Sequence, residues 1–90
     1  MRITRQKVAE KLTDYLHHRI SLAELVDWAE TAMMEAEFDE RDLDNLREII
    51  GRIGLADVRA FGLTWEDCED LLARLGYRVS IKVLESPVMV

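Results

Sequence analysis

Cysteine and proline are scarce in this chain of 90 residues, which contains one of each. Because the single cysteine, Cys68, has no partner for an internal disulfide, a reducing compartment such as the cytoplasm is the expected location. No apolar run approaches the roughly 20 residues that are needed to span a bilayer, so no membrane segment is predicted. The first residues are basic but are not followed by an apolar stretch, and no secretory signal is expected.

Motifs for metal binding and catalysis are missing as well. His17 and His18 are adjacent, so on a helix they point about 100° apart and do not share a metal easily. Asp14 and His18 are spaced to offer two ligands, but no further cluster completes such a site, and a surface pair at a helix end is the simpler interpretation. Cys68 lies on an apolar stripe without a cationic neighbour, as a buried small side chain would. We therefore predict no enzyme activity, metal, cofactor or small-molecule substrate.

Acidic residues dominate the middle of the chain, and the net charge is −6. Residues 21–70 hold fifteen acids against four arginines, a net charge of −11, whereas residues 1–20 carry +3 and residues 71–90 carry +2. Such a middle region would repel nucleic acid and attract a basic partner. The simpler alternative is a solvated surface that keeps a small protein in solution.

Apolar residues recur at helical spacing in most of the chain. The central stretch is predicted to begin at Ser21, whose hydroxyl forms a capping box with Glu24. Asp39 and Thr64 are the predicted caps of two later helices, and Thr64 is expected to form a capping-box-like pair with Asp67. Gly76 is the predicted stop of the last helix. The four predicted helices cover residues 5–18, 21–38, 39–53 and 64–75. Their apolar stripes are predicted to point inward and Ile49 to lie at a margin; the inward residues include Met33, Leu43 and Trp65, together with Leu55, Val58 and Phe61 of the connector between the last two helices.

The period changes from 3.6 to 2 after Gly76. Apolar Tyr77, Val79, Ile81 and Val83 alternate with polar residues, and this pattern predicts a strand over residues 77–84. A strand needs a partner for its backbone groups, and three partners are possible: residues 1–4, the same strand of a second copy, or a strand of another protein. The predicted fold is a mainly α, four-helix bundle-like domain over residues 1–85 with a C-terminal β-strand, and residues 86–90 form a flexible tail.

Candidate interaction residues come from the central helix and from the last strand. Trp28 lies at the edge of the apolar stripe and Met34 projects on the polar side. In the simpler interpretation, Trp28 caps the core and Met34 is a single exposed apolar residue, which is common. In the alternative, both side chains contact another chain. The remaining candidates are the acids of the polar face and the polar side of the strand: Glu24, Asp27, Glu35, Arg78, Ser80 and Lys82.

Two segments resemble known classes of protein. The stretch SLAELVDWAE, residues 21–30, together with the small size and the acidic middle, resembles small helical bacterial immunity proteins that inhibit toxins. The segment LLARLGYRVSIKV, residues 71–83, is similar to the helix-then-strand ending of some antitoxin-type regulators. The expected function is a non-enzymatic protein-interaction module, acting as a homodimer or as the acidic partner of a basic protein.

A DNA-associated regulator is the alternative function. The first two helices, residues 7–29, loosely resemble a helix-turn-helix, and the basic N-terminal helix would supply contacts to phosphates. However, the second helix carries Glu24, Asp27 and Glu30, which would face the phosphates and oppose binding. Nucleic acid is therefore the less favoured partner.

Overall fold

A computed structural model describes residues 2–59 and 61–85 of the chain. This part of the chain is mainly helical and contains a small parallel sheet of two strands. The elements in chain order are β1 (Arg2–Ile3), α1 (Arg5–Leu16), α2 (Leu22–Glu35), β2 (Glu37–Phe38), a 3-10 helix (Glu40–Asp42), α3 (Leu43–Gly54) and α4 (Trp65–Arg74).

Capping side chains fix where α2 and α4 begin, as predicted. The predicted cap Asp39 instead opens the 3-10 helix, and α3 begins at Leu43 without a side-chain cap. The Ser21 hydroxyl accepts from the Glu24 N–H and the Glu24 carboxylate accepts from the Ser21 N–H, both at 3.1 Å. Thr64 and Asp67 form the same reciprocal pair at the start of α4. Each pair satisfies two N–H groups that the first turn of a helix leaves without a partner. Both capping boxes are thus confirmed.

The core is centred on α2 and α3, which pack against each other more extensively than any other pair of described elements. Ala29 and Ala32 of α2 are fully buried, and their small side chains permit this close approach. α1 lies against both α2 and α4. The mainly helical class is confirmed. The fully buried side chains of the other three helices include Val8, Leu12, Leu46, Ile49, Ile50, Ile53 and Cys68.

The second helix ends at Glu35 and not at Phe38, which corrects the predicted boundary. Ala36 turns into an extended conformation, and Glu37–Phe38 pairs in parallel with Arg2–Ile3. The Asp39 N–H also donates to the Ile3 carbonyl at 3.0 Å. Ile3 is fully buried and Phe38 packs against the core, so tertiary burial overrides the helical period here.

Several apolar side chains that were predicted to point inward are exposed. Met33 of α2 and Leu43 of α3 are partly exposed at the surface. Ile49, which was predicted at the margin of its stripe, is fully buried. The connector between α3 and α4 buries Ala56 instead of its larger residues. Helix rotation is set by the neighbouring helix, so residues at a stripe's edge cannot be placed from periodicity. The exposed ones also include Leu55, Val58, Phe61 and Trp65.

Residues 77–85 form no strand, although the alternating pattern predicts one. The N-terminal segment, one of its possible partners, is paired with β2 instead. Since a strand exists only where another strand pairs with it, the segment remains extended and unpaired within the described residues. The predicted tail, residues 86–90, lies outside the described residues.

α3 and α4 are joined by polar contacts at both ends. The Asn45 amide donates to the Arg74 carbonyl at 2.9 Å, and the Arg74 guanidinium pairs with Glu48 at 2.6 Å. At the other end, Arg52 pairs with Asp67 at 3.2 Å. The contacts of Arg74 hold the C-terminal end of α4, after which residues 77–85 follow.

α1 ends at Leu16, two residues earlier than predicted, because the chain closes a Schellman turn there. The Arg19 N–H donates to the Asp14 carbonyl at 2.8 Å, and the His18 N–H donates to the Tyr15 carbonyl at 3.0 Å. This turn requires the left-handed conformation at His18, whose φ is 60°. A position that normally favours glycine is therefore occupied by a residue with a β-carbon.

Replacing His18 with glycine is expected to raise the free energy of unfolding by about 1 kcal/mol. The left-handed conformation costs a non-glycine residue about 1–2 kcal/mol, and the added chain entropy of glycine offsets part of the gain. Urea denaturation measures the change. The matched control is His17→Gly, because His17 has an ordinary φ of −88°. Equal stabilities of the two variants would contradict the expectation.

Candidate protein-interaction surfaces

All the charged residues on the outward side of α2 are acidic. This helix carries four acids, and it contains neither lysine nor arginine. All four are exposed, and none forms an ion pair with a residue that the structure describes. We call this surface the acidic face of α2, and it consists of Glu24, Asp27, Glu30, Thr31, Met34 and Glu35.

Met34 lies near the C-terminal end of the acidic face. It follows Asp27, Glu30 and Thr31 at intervals of seven, four and three residues, so these side chains share one side of the helix. Its side chain is 84% exposed. A large apolar group flanked by acids such as Asp27 and Glu30 is the arrangement of a binding anchor beside a polar rim. Glu30 was not among the candidates, although its spacing to Asp27 and Met34 was visible in the sequence.

Trp28 has a different environment from Met34, although both are on α2. It is half-buried against the core, and the Lys11 ammonium lies 5.8 Å from the centroid of its ring. Its indole N–H is buried and makes no hydrogen bond to any residue that the structure describes. Trp28 therefore closes the edge of the core, and the structure does not bring it onto the acidic face.

The C-terminal arm, which we define as residues 77–85, is a second unusual surface. Tyr77 is still tied to α4, since its N–H donates to the Leu72 carbonyl at 2.9 Å. Beyond it, residues 78–85 make no backbone–backbone hydrogen bond with any other described residue. Ile81, Val83 and Leu84 are 65%, 89% and 72% exposed. The three polar candidates of the arm, Arg78, Ser80 and Lys82, are exposed as well.

A surface groove of about 660 Å³ is lined by residues of α1, of α4 and of the beginning of the arm. Glu10 and Asp14 of α1 line one side, and Trp65 and Leu72 of α4 contribute to the lining together with residues 77–80. Val79 is half-buried against the core, whereas Trp65 and Tyr77 are 37% and 42% exposed. Sequence patterns did not indicate this groove, because its residues come from three distant segments.

The groups that were considered for chemistry are separated by their environments. Cys68 is fully buried, and burial raises the pKa of its thiol to about 11, so the thiol is protonated at neutral pH. His17 and His18 are exposed, and Asp14 pairs with Arg19 at 3.1 Å. Among the described residues no three of His, Cys, Asp and Glu come together as a metal site.

Several acids outside α2 are used to build the fold. Hydrogen bonds from the Arg41 side chain lower the pKa of Asp39, which also caps the 3-10 helix. A hydrogen bond from the Thr64 backbone lowers the pKa of Asp67 in the capping box of α4. These carboxylates are held by internal partners, in contrast to those of the acidic face.

Some of the cations of the basic N-terminal region, residues 1–20, already contact other residues of the chain. Arg5 pairs with Asp42 at 3.2 Å, Arg19 pairs with Asp14, and Lys11 lies over Trp28. Within the described part of the chain, Arg2 and Lys7 are the cations of this region without such a contact. This arrangement gives little support to a phosphate-binding surface on α1.

Comparisons with protein-family models, with curated proteins and with solved structures find no match to this chain. None of the described helices combines the length and the apolar character that crossing a membrane requires. Function therefore has to follow from the chemistry of the protein's own surfaces, of which the acidic face of α2 and the C-terminal arm are the most unusual.

Proposed function

We propose that this protein is a non-enzymatic interaction module that binds a basic protein through the acidic face of α2, as an immunity- or antitoxin-type inhibitor would. The observation that carries the proposal is Met34, which is 84% exposed near the C-terminal end of a surface whose carboxylates form no ion pair with a described residue. Water contact with this side chain is unfavourable in the isolated protein, and a partner would remove it.

The two components of the surface have different roles. Burying a methionine side chain completely contributes about 1.5–3 kcal/mol, so Met34 supplies affinity. The surrounding carboxylates attract an oppositely charged surface over roughly a Debye length of 8 Å at physiological salt, and they mainly accelerate association. The expected partner therefore has an apolar pocket framed by lysine or arginine.

Helix α2 holds the side chains of the acidic face on a rigid backbone. Its start is fixed by the capping box of Ser21 and Glu24, and its opposite side is buried through Leu25, Ala29 and Ala32. Because the contact side chains are held on a packed helix, little backbone entropy is lost on binding. Glu24 is the exception, since its carboxylate already accepts the Ser21 N–H.

Capture of binding proteins from the native host by the immobilised chain tests this function. Two variants remove the surface: Met34→Asp removes the apolar anchor, and the double variant Asp27→Lys, Glu30→Lys reverses the local charge. The matched control is Glu69→Lys, Asp70→Lys on α4, where two exposed acids likewise have no ion pair with a described residue.

The expected result is a basic protein whose binding falls by at least about tenfold in both α2 variants, and remains in the α4 control. Added salt should weaken the wild-type complex, as electrostatic steering requires. The proposal is overturned if no captured protein distinguishes the α2 variants from the control, or if the protein that does so is acidic.

A further inference from the structure

We propose that two copies of this chain associate by antiparallel pairing of their C-terminal arms, with the two-fold axis passing through Ile81. This interface is separate from the acidic face of α2, and the proposal does not depend on the proposed function. It follows from the unpaired backbone of the arm, from the alternation of its side chains and from the groove in which the arm begins.

Beyond Tyr77, the backbone of the arm is not paired with any residue that the structure describes. Residues 78–85 make no backbone–backbone hydrogen bond with other described residues, while the sequence has the β-branched alternation of a strand. An exposed segment of this kind is a template for a strand from another chain. The chain's own N-terminal segment is engaged with β2, and this favours a partner outside the chain.

The side chains of the arm are complementary to themselves in one register. When Ile81 lies opposite Ile81 of the second copy, Val79 lies opposite Val83 on the apolar side. On the polar side, Lys82 lies opposite Ser80, and Arg78 lies opposite Leu84. Cross-strand pairs of β-branched residues contribute about 0.2–1 kcal/mol each, and no two like charges lie directly opposite each other.

The neighbouring register, centred on Ser80, is less favourable for a specific reason. It places Arg78 directly opposite Lys82, and the symmetry produces this repulsive pair twice. Like charges directly opposite each other destabilise a strand pair. The charges of the arm therefore select the axis at Ile81 over the axis at Ser80.

The groove supplies the packing that two isolated strands would lack. A two-stranded ribbon is marginally stable in water unless one face packs on something apolar. Tyr77, Val79 and Trp65 line or border the groove, and two of them are more than one-third exposed. The antiparallel arm of the second copy places its Val83 beside Val79, where it covers this apolar surface.

The charges of the groove agree with this placement. Glu10 lines the groove together with Ser80, and it has no ion pair with a described residue. In the register centred on Ile81, the second copy places Lys82 opposite Ser80 and so brings a cation to the groove that Glu10 lines. Arg78 and the Asp14–Arg19 ion pair also line the groove, so Glu10 is the carboxylate there that Lys82 of the second copy can neutralise.

Light scattering on a sizing column, over a wide range of protein concentration, tests the association. The wild-type chain is expected to reach the mass of two chains as the concentration rises. Ile81→Asp should weaken association by at least about a hundredfold, because both copies lose an apolar contact and place carboxylates opposite each other. The matched control is Leu84→Asp, which places a carboxylate opposite Arg78 and should leave the dimer intact.

Cross-linking through introduced cysteines tests the register. Only a residue on the two-fold axis lies opposite its own copy, so Ile81→Cys should oxidise readily to a covalent dimer, whereas Ser80→Cys should not. The native Cys68 does not interfere because it is fully buried. Thermal unfolding of each variant checks that the helical body is unchanged, as expected for exposed positions.

Three outcomes would overturn the proposal. The chain could be monomeric at every concentration, in which case the arm is reserved for a different protein. The two aspartate variants could associate equally, in which case the dimer does not use the arm in this register. Finally, Ser80→Cys could cross-link faster than Ile81→Cys, which would move the axis.

Discussion

Leu46→Ala is expected to lower the free energy of unfolding by about 2–5 kcal/mol. Leu46 is fully buried in the core that α2 and α3 form. Truncation removes three carbons from a packed site and leaves a cavity that the surrounding helices fill only in part. A domain of this size has a total stability of about 5–13 kcal/mol, so a loss of about 5 kcal/mol would leave a substantial unfolded fraction if the total lies near the lower bound.

Urea denaturation followed by helical circular dichroism measures this loss. The matched control is Leu55→Ala, which removes the same atoms at a position that is 44% exposed. Its effect should be well below that of Leu46→Ala, because less apolar surface returns to water and no closed cavity forms. Similar losses in the two variants would show that Leu46 is not packed as the structure describes.

Gly76→Ala has the second-largest expected effect on the free energy of unfolding, a loss of at least about 1–2 kcal/mol. Gly76 closes the Schellman turn after α4 with a φ of 92°, a conformation that strains any residue with a β-carbon. In addition, the new β-carbon would lie 3.3 Å from a guanidinium nitrogen of Arg5, so that side chain would have to shift. The same turn after α1 contains His18, and the two positions should respond to substitution in opposite directions.

Gly51→Ala is the matched control for this substitution. Gly51 lies inside α3, and a β-carbon built there would meet nothing within 4 Å. Alanine is the better helix former by about 0.8–1 kcal/mol, so this variant should be more stable than the wild type. If Gly76→Ala were equally tolerated in thermal unfolding, the left-handed turn that directs the arm would be wrong.

Local interactions were predictable from the sequence wherever a few adjacent residues are sufficient for them. The capping pairs of Ser21 with Glu24 and of Thr64 with Asp67 formed as predicted, since each joins residues three positions apart. The end of α4 before Gly76 was predictable for the same reason, because it depends on one glycine and the turn that this glycine forms. The candidate Met34 was visible for the same reason, because its place on the polar side of α2 follows from helical spacing.

Long-range interactions decided the positions where the predictions failed. Phe38 was predicted at the end of a helix but lies in a strand, because Ile3, 35 positions earlier, pairs with it and is buried beside it. Trp65 and Met33 were assigned to the core, yet the rotation of their helices against neighbours leaves them partly exposed. No local pattern contains this information.

The helical class, the capped helix starts and the unequal distribution of charge are properties of neighbouring residues, so they can be derived from the chain before it folds. The tertiary structure decided which carboxylates form ion pairs with arginines of the same chain and which apolar residues remain at the surface. It also decided the position of the groove beside the arm. It also left residues 77–85 without a strand partner among the described residues, although their sequence favours a strand. The reason is that a strand, unlike a helix, takes its hydrogen bonds from another segment, and here the available segment pairs with β2.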